Sequence, residues 1–228
     1  MASAWPTAMM TSRLMLLTLP AGFENVTWYG RGPFENYWDR KTGSNVGVYT
    51  STADDMFVPY IEPQETGNRT DVRWVALTNA SGAGLLAVGT PEMEINALHY
   101  TPWELESKDH PYELVRSDEV ILRLSHHQMG VGGDDSWGAK PHPEFTMYSD
   151  ESYSYAYRLS PLASAQSAMA LSKQAFPCGS SPAAPGTQKP TLVWLGVSAM
   201  AILVLAVIVW ACFRLRGSVF SSRHSERP

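Results

Sequence analysis

The sequence predicts an all-β fold, a β-sandwich, for residues 1–161, and one transmembrane helix near the C-terminus. In the main body, apolar and polar residues alternate with a period of two, which is typical of half-buried strands. Eight Trp, ten Tyr, 17 Gly and 16 Pro among 228 residues favour strands joined by elaborate loops. Residues 191–213 form an uncharged stretch of 23 residues, which predicts the membrane span.

The N-terminal residues 14–19 are a short apolar run that Thr18 interrupts and Pro20 ends. A signal peptide needs about 7–15 apolar residues, so a strand is favoured here. Further along, residues 71–79 and 85–90 flank the turn sequence ASGAG and predict a hairpin. The remaining predicted strands are 92–98, 119–125, 144–149 and 152–160.

The only helix signal in the body is TPWELESK, residues 101–108. Thr101 can cap the first turn, Pro102 suits the first helical position, and Glu104 completes a capping box. We therefore expect one short helix beside the strands.

The charge of the body excludes one class of partner. Residues 1–160 contain 11 Lys+Arg and 21 Asp+Glu, a net charge of −10. Such an acidic body argues against nucleic acid as the partner. Cys178 and Cys212 both lie beyond residue 161, so the body has no internal disulfide.

The C-terminal third is predicted to anchor the protein. With a rise of about 1.5 Å per residue, 191–213 can cross a hydrocarbon core of about 30 Å. Four Arg in the tail 214–228 make it basic, which places the tail in the cytoplasm and the body outside or in a lumen. The Ser-, Ala- and Pro-rich residues 162–190 predict a flexible stalk. A buried core helix is the alternative for 191–213, and 23 uncharged residues disfavour it.

Three Asn-x-Ser/Thr sequons occur, at Asn25, Asn68 and Asn79. They would be glycan acceptors if the body faces a lumen. Asn79, at the tip of the predicted hairpin, is the most plausible acceptor, while chance is the alternative explanation for a three-residue pattern.

Two aromatic, charged loops contain candidate ion pairs. In WYGRGPFENYWDRK, residues 28–41, Arg31 is expected to bind a carboxylate, either a substrate's or the protein's own at Glu35 or Asp39. The internal pair is the commoner case.

The second loop, PYIEPQETGNR, contains Glu62, Glu65 and Arg69. A retaining glycosidase needs two carboxyl groups about 5 Å apart, and spacing alone gives Glu62 and Glu65 little support for that role. Structural ion pairs around Arg31 and Arg69 are therefore favoured.

Metal and nucleophile chemistry have little support in the sequence. His126 and His127 are adjacent, so in a strand they are predicted to point to opposite faces. No G-x-S-x-G is present, and GVGG at 130–133 does not match a phosphate-binding loop. We expect no metal site and no catalytic residue in this chain.

The loop MGVGGDDSWG, residues 129–138, completes a recognisable pattern. Together with WYGRGPFENYWDR, VPYIEPQETGNRTDVRW and YSYAYRLSP, it resembles the C-terminal small-chain region (domain 5) of glycoside hydrolase family 2 β-galactosidases, over roughly residues 12–161. The resemblance implies a galactose-mutarotase-like supersandwich, of which this chain matches about the second half. The stalk, span and tail have no counterpart in that family.

The resemblance also implies a site. In the family, the Trp of this loop forms part of the sugar platform beside a TIM-barrel active site, and Trp137 occupies that position. An indole face stacks on the apolar C–H face of a pyranose and needs a rigid support. That support is expected from Gly132, Gly133, Asp134, Asp135 and Ser136. The two aspartates are expected to bond backbone amides within the loop.

The family's catalytic glutamates and Mg²⁺ ligands lie in the barrel, so we expect no cofactor in this chain and no hydrolysis by it alone. The expected partners are a β-galactoside or another carbohydrate, and the missing β-galactosidase domains in trans. Two alternatives are a membrane-anchored, non-catalytic sugar-binding module and a chain without a stable fold, since half a sandwich leaves open edges.

Overall fold

A computed structural model describes residues 9–10, 12–135 and 137–175. The chain divides into two units, Met1–Pro177 and Cys178–Pro228. The predicted span 191–213, the tail and most of the stalk lie outside the described residues. Within the described part of the chain, no helix is both long and apolar enough to cross a membrane.

The described residues are mostly antiparallel β-structure, as predicted. Seven strands form one sheet in the order β2-β7-β6-β5-β3-β4, with β9 also pairing with β6, while β1 and β8 form a two-stranded ribbon. The strands are β1 (Met9–Met10), β2 (Ser12–Leu19), β3 (Asn25–Gly32), β4 (Asn45–Thr52), β5 (Arg69–Thr78), β6 (Gly84–Leu98), β7 (Val120–Gln128), β8 (Met147–Tyr148) and β9 (Ala156–Leu162). A sandwich needs two facing sheets, and the described residues supply one large sheet and a short ribbon.

Short helices join the strands: α1 (Ala53–Met56), α2 (Pro102–Glu106) and α3 (Ala168–Ser172), with 3₁₀ turns at Pro111–Glu113, Pro143–Phe145 and Ala165–Ser167. The predicted helix is α2, and Thr101 caps it by accepting from the Glu104 N–H at 3.0 Å. The Glu104 carboxylate accepts instead from the Val115 N–H at 2.9 Å, which ties the next loop to the helix.

The strand β6 is longer than predicted because it continues through Pro91. One edge of β6 pairs with β5, and the other pairs first with β9, from Gly84 to Thr90, and then with β7, from Glu94 to Leu98. Pro91 falls between these pairings and has no register partner on either edge. Its missing N–H therefore removes no ladder hydrogen bond, and two predicted strands are one.

Both faces of the central strands are buried. Along β5, Val75 and Leu77 face the main core, whereas Trp74 and Ala76 face a second, smaller cluster. Burial on both faces explains why the apolar pattern of β5 is nearly continuous rather than alternating.

The second cluster is covered by residues that the sequence assigned to the stalk. Leu162, Ala168 and Leu171 pack against it, and the Arg158 guanidinium donates to the Leu171 carbonyl at 2.6 Å. The folded body therefore extends to Ala175 rather than ending at residue 161. The Ser- and Ala-rich composition of residues 162–190 favoured a flexible stalk, but three apolar side chains at its start are enough to cover the second cluster.

The last predicted strands are shorter than expected. Residues 144–149 contribute only the two residues of β8, after a 3₁₀ turn. The strand predicted at 152–160 begins at Ala156 instead. Tyr153 and Tyr155 precede it, and the Tyr155 ring stacks on His126 with centroids 5.7 Å apart. Tyr153 and Tyr155 thus lie outside the strand, while Tyr157 lies within it and pairs with Gly89.

Candidate saccharide-binding site

The three loops that carry the sequence motifs meet at one cleft of about 680 Å³. Tyr37 and Arg40 come from the loop after β3, and Tyr60 and Glu65 from the loop after α1. The third wall is formed by the two arms of the loop that follows β7. Blocks that are far apart in sequence therefore build one concave surface.

Trp137 lies at the tip of this third loop and is 91% exposed. The backbone N–H of Trp137 donates to Asp135 Oδ1 at 2.8 Å, and the backbone N–H of Ala139 donates to the same oxygen at 3.2 Å. Asp135 thus bonds backbone amides within the loop, as expected. These bonds fix the backbone on both sides of the indole.

Asp134 differs from expectation because its partner is a side chain. His142 Nε2 lies 2.8 Å from Asp134 Oδ1, and His142 Nδ1 lies 3.7 Å from Glu144 Oε1. The hydrogen bond that His142 donates to Asp134, together with the charges of both carboxylates, raises the pKa of His142 above its usual value. The pair joins the loop to the 3₁₀ turn that follows it.

The two loop glycines have different roles. The Gly132 N–H donates to Asp39 Oδ2 at 2.8 Å, which anchors the loop to the neighbouring wall. A Cβ on Gly133 would lie 2.2 Å from the Ala139 carbonyl oxygen, so the close approach of the loop's arms requires glycine there. Ser136 lies outside the described residues.

Arg31 pairs with Asp71, not with Glu35 or Asp39. It also donates to the Ser44 carbonyl at 2.6 Å, and Lys41 lies 2.8 Å from Asp71. The register of β5 shifts between Arg69 and Val72, and Asp71 has a φ of +51° within that bulge. Burial would raise the pKa of Asp71, but the hydrogen bonds from Lys41 and Arg31 hold it below its usual value.

Glu35 clamps the first two loops together. It accepts from Arg40 Nη2 at 2.7 Å, from the Gly67 N–H at 2.8 Å and from the Tyr60 hydroxyl. Its carboxylate is thus shared between an ion pair and the backbone of the opposite wall.

Glu65 pairs with Arg123 through both carboxylate oxygens. Arg123, on β7, is only 5% exposed. Burial lowers the pKa of Arg123, but the charge and hydrogen bonds of Glu65 outweigh that effect and raise it overall. Glu62, by contrast, is exposed. The two glutamates of this loop are therefore in different environments and do not form a carboxylate pair.

Arg69 binds carbonyls rather than a carboxylate, which corrects its assignment to an ion pair. It donates to the Pro33, Gly67 and Asn68 carbonyls at 3.0, 2.9 and 3.2 Å. Its guanidinium carbon lies 5.3 Å from the centroid of the Trp28 ring. Burial lowers the pKa of Arg69 to about 10. Three carbonyls thus accept from this buried guanidinium, and the charge of Glu35 acts on it without a direct ion pair within 4 Å.

Residues 10–159 match the family model described as the β-galactosidase small chain. The chain belongs to this family. It is 53% identical over 148 residues to a β-galactosidase of Priestia megaterium, a match that covers 65% of this chain and 14% of that protein. It is 41% identical over 140 residues to a β-galactosidase of Halalkalibacterium halodurans, covering 61% and 14%. A β-galactosidase of Lactobacillus delbrueckii subsp. bulgaricus is 42% identical over 131 residues, covering 58% and 13%. The chain thus spans only about one seventh of these relatives.

In this small-chain domain, one predicted glycosylation site is contradicted. Asn68 is 0% exposed, and its Nδ2 donates to the Asn36 carbonyl at 3.1 Å and to Glu94 Oε2 at 2.8 Å. The folded domain therefore gives no access to Asn68. Asn25 is exposed at the start of β3, and Asn79 lies in the turn of the β5–β6 hairpin.

The histidines of the small-chain domain are arranged differently from expectation. His126 and His127 are both in β7, yet their ring centroids are 4.4 Å apart. The His127 ring stacks on Trp38 with centroids 4.8 Å apart, and the His126 ring stacks on Tyr155 with centroids 5.7 Å apart. Among the described residues, no group of three His, Cys, Asp or Glu side chains could hold a metal ion.

Sequence reasoning missed two residues of the cleft in the small-chain domain, Tyr37 and Gln128. Both are buried polar residues that line the cleft. Tyr37 stands within the aromatic loop motif, and Gln128 directly precedes MGVGGDDSWG. Only that position beside the motifs could have indicated them.

Proposed function

We propose that this β-galactosidase small-chain domain supplies a saccharide-binding face to a β-galactosidase, with Trp137 as the stacking platform. The observation that carries the proposal is the combination of a nearly fully exposed indole with a loop held on both sides. An indole is a large apolar surface, and covering it with a sugar stabilises the complex. A fixed backbone limits the conformational entropy that the loop loses on binding.

Glu65, in the wall of the cleft, and Glu35, bonded to the wall residues Arg40 and Tyr60, do not suit the hydrolytic step. Glu65 is engaged by Arg123 through both oxygens, and Glu35 is engaged by Arg40, Tyr60 and the Gly67 N–H. A nucleophile and a general acid would need free lone pairs and a free proton at the sugar. We infer that hydrolysis, and any Mg²⁺ that it uses, belongs to other parts of a longer enzyme.

Exposed apolar side chains on the outermost strands favour the same view. Leu14, Met15 and Leu16 lie on β2, and Val46 and Val48 lie on β4. We infer that the rest of a supersandwich covers these strands when the domain is part of a β-galactosidase. Covered in this way, the outermost strands would no longer be open to pairing with another chain.

A chimeric enzyme tests the proposal. The matching segment of the Priestia megaterium β-galactosidase would be replaced with residues 10–159 of this chain, and hydrolysis of o-nitrophenyl β-D-galactoside would be measured. We expect an active chimera whose kcat/KM falls about 5- to 30-fold with Trp137→Ala, since an aromatic stacking contact contributes about 1–2 kcal/mol. If Trp137→Ala leaves the kcat/KM of an active chimera unchanged, the platform role is refuted.

One observation favours a second function, a membrane-anchored galactoside-binding module. Residues 191–213 are uncharged and precede a basic tail. In that case the protein is a single-pass membrane protein with the body extracellular or lumenal. In sealed vesicles whose outer face is the cytoplasmic one, we expect an epitope on the body to be protected from added protease and an epitope on the tail to be digested. The opposite pattern would contradict this orientation.

A further inference from the structure

The loop after β3 contains a tight turn that reaches the loop between β7 and β8. We call this second loop, residues 129–146, the platform loop. The Tyr37 N–H donates to the Arg40 carbonyl at 3.2 Å, and the Arg40 N–H donates to the Tyr37 carbonyl at 2.8 Å. Trp38 and Asp39 therefore form the two-residue tip of this turn.

Asn36, directly before the turn, ties it to the central sheet. Asn36 is buried, and its N–H donates to the Asn68 carbonyl at 2.9 Å. Its side-chain Oδ1 accepts from the backbone N–H and from the hydroxyl of Thr70, on β5, at 2.9 and 2.6 Å. Buried polar groups with several hydrogen bonds are costly to displace, so the turn has a firm support.

Trp38 holds the base of the platform loop. Its ring stacks on His127, near the end of β7, with centroids 4.8 Å apart, and it meets the Phe145 ring edge-on at 6.0 Å. The Gly130 N–H donates to the Phe145 carbonyl at 2.9 Å and closes the loop at this point. One residue of the turn thus packs where the two arms of the platform loop come together.

Asp39 holds the arm of the platform loop that leads to Trp137. Asp39 Oδ2 accepts from the Gly132 N–H at 2.8 Å. A Cβ on Gly130 would lie 2.8 Å from the same oxygen, so the carboxylate approaches the backbone of that glycine closely. A carboxylate that accepts from a backbone N–H makes a stronger hydrogen bond than a neutral acceptor does. Asp39 therefore fixes this arm against the first loop.

The two aspartates of the platform loop itself have a different effect. Asp135 accepts from the backbone N–H of Trp137, and Asp134 is bonded to His142, so both have partners within the same loop. Such bonds give the loop its shape, but they move with it. The bond of Asp39 crosses from one loop to another and therefore sets where the platform loop stands.

Trp137 depends on this anchor because its side chain is 91% exposed, so packing does little to fix its position. A contact group that is displaced by about 1 Å can lose much of its effect on a bound substrate. We propose that Asp39 is a positioning residue for Trp137, acting through Gly132, with Trp38 supporting the base of the loop. The inference rests on the proposed function and deepens it.

Fluorine NMR on the full chain tests the positioning separately from any activity. The chain is kept in detergent and labelled with 5-fluorotryptophan, and the Trp137 resonance is assigned with Trp137→Phe. In Asp39→Ala we expect this resonance to shift and to sharpen, because the arm loses its bond to the first loop. The resonances of Trp28 and Trp74, which are buried, should stay in place. Asp118→Ala, at an exposed aspartate before β7, is the matched control and should move none of the three.

A double-variant cycle in the chimeric enzyme tests the consequence for hydrolysis. Asp39→Ala should lower kcat/KM about 2- to 12-fold, the factor that one hydrogen bond contributes. Asp39→Asn keeps an acceptor oxygen for the Gly132 N–H and should recover most of this loss. In a chimera that already carries Trp137→Ala, Asp39→Ala should cause no further loss, since a positioning residue acts only through the group that it places.

The outcomes separate this inference from the proposed function. If the Trp137 resonance is the same in Asp39→Ala as in the native chain, or if the resonances of Trp28 and Trp74 move with it, the positioning role is overturned. It is also overturned if Asp39→Ala lowers kcat/KM equally with and without Trp137→Ala, because Asp39 then acts by another route. If only the Trp137 resonance moves and Trp137→Ala leaves kcat/KM unchanged, the proposed function fails and the positioning role stands.

Discussion

Removing the Glu65 carboxylate should destabilise the domain strongly, because the buried guanidinium of Arg123 then loses the carboxylate to which it is directly bonded. Arg123 donates to both oxygens of Glu65, and its Nε has no partner among the described residues. Glu65→Gln keeps one acceptor but loses the charge and one hydrogen bond. Breaking a buried ion pair from one side costs about 3–5 kcal/mol. Since Glu65 is partly exposed, we expect about 3 kcal/mol.

The assay is thermal unfolding of the full chain, followed by circular dichroism. For a domain of this size, about 1 kcal/mol corresponds to about 2–4 °C, so Glu65→Gln should lower the melting temperature by about 6–12 °C. The matched control is Glu92→Gln, which breaks the exposed pair with Arg73. An exposed pair contributes about 0–1 kcal/mol, so the control should shift by only a few degrees.

Replacing both partners isolates the cause. In Glu65→Leu with Arg123→Met neither member of the pair is left buried without the other, so this double variant should be more stable than Glu65→Gln. If Glu65→Gln melts within about 2 °C of Glu92→Gln, or if the double variant is the least stable of the three, the buried-charge reasoning is refuted.

Three further predictions concern the loops and their charges. Gly133→Ala should lower the melting temperature because the new Cβ would overlap a backbone oxygen. Gly132→Ala should not, because its nearest neighbour would lie 3.6 Å from the new Cβ. Equal melting temperatures of the two variants would contradict this. The folded-state pKa of Asp71 is depressed. Asp71 therefore adds to the free energy of unfolding above its unfolded-state pKa, and this contribution is lost as pH falls through its folded-state pKa. Asp71→Asn should therefore flatten the acid limb of stability against pH, and an unchanged limb would oppose the assignment. The pKa of His142 is raised in the folded state. The stabilisation from its bond to Asp134 is therefore fully present below the unfolded-state pKa of His142 and is lost as pH rises through the folded-state pKa. Asp134→Asn should lower the pKa of His142 measured by NMR titration, and an unchanged His142 pKa would contradict the pair.

Local patterns in the sequence predicted much of the sheet. The β5–β6 hairpin, β7 and the capped α2 were all predictable, because turn residues, alternation and capping act over a few neighbouring residues. Pro91 misled the prediction because its effect depends on which strands flank it, and strand order is a property of the whole fold.

The candidate site was predictable at the level of motifs rather than contacts. The loop around Trp137 was found, but the partner of Arg31 was not, because a bulge in β5 turns Asp71 toward it. Likewise Glu65 pairs with Arg123, which is 58 residues away in the sequence. Tyr37 and Gln128 were missed because the burial of a polar side chain beside a cleft can be seen only in three dimensions.

The most direct test of the account is the effect of Trp137→Ala on galactoside hydrolysis by the chimeric β-galactosidase that contains residues 10–159. The account predicts a fall of about 5- to 30-fold in kcat/KM, with the melting temperature unchanged. An unchanged kcat/KM in a folded, active chimera would contradict the claim that this domain presents Trp137 to the sugar.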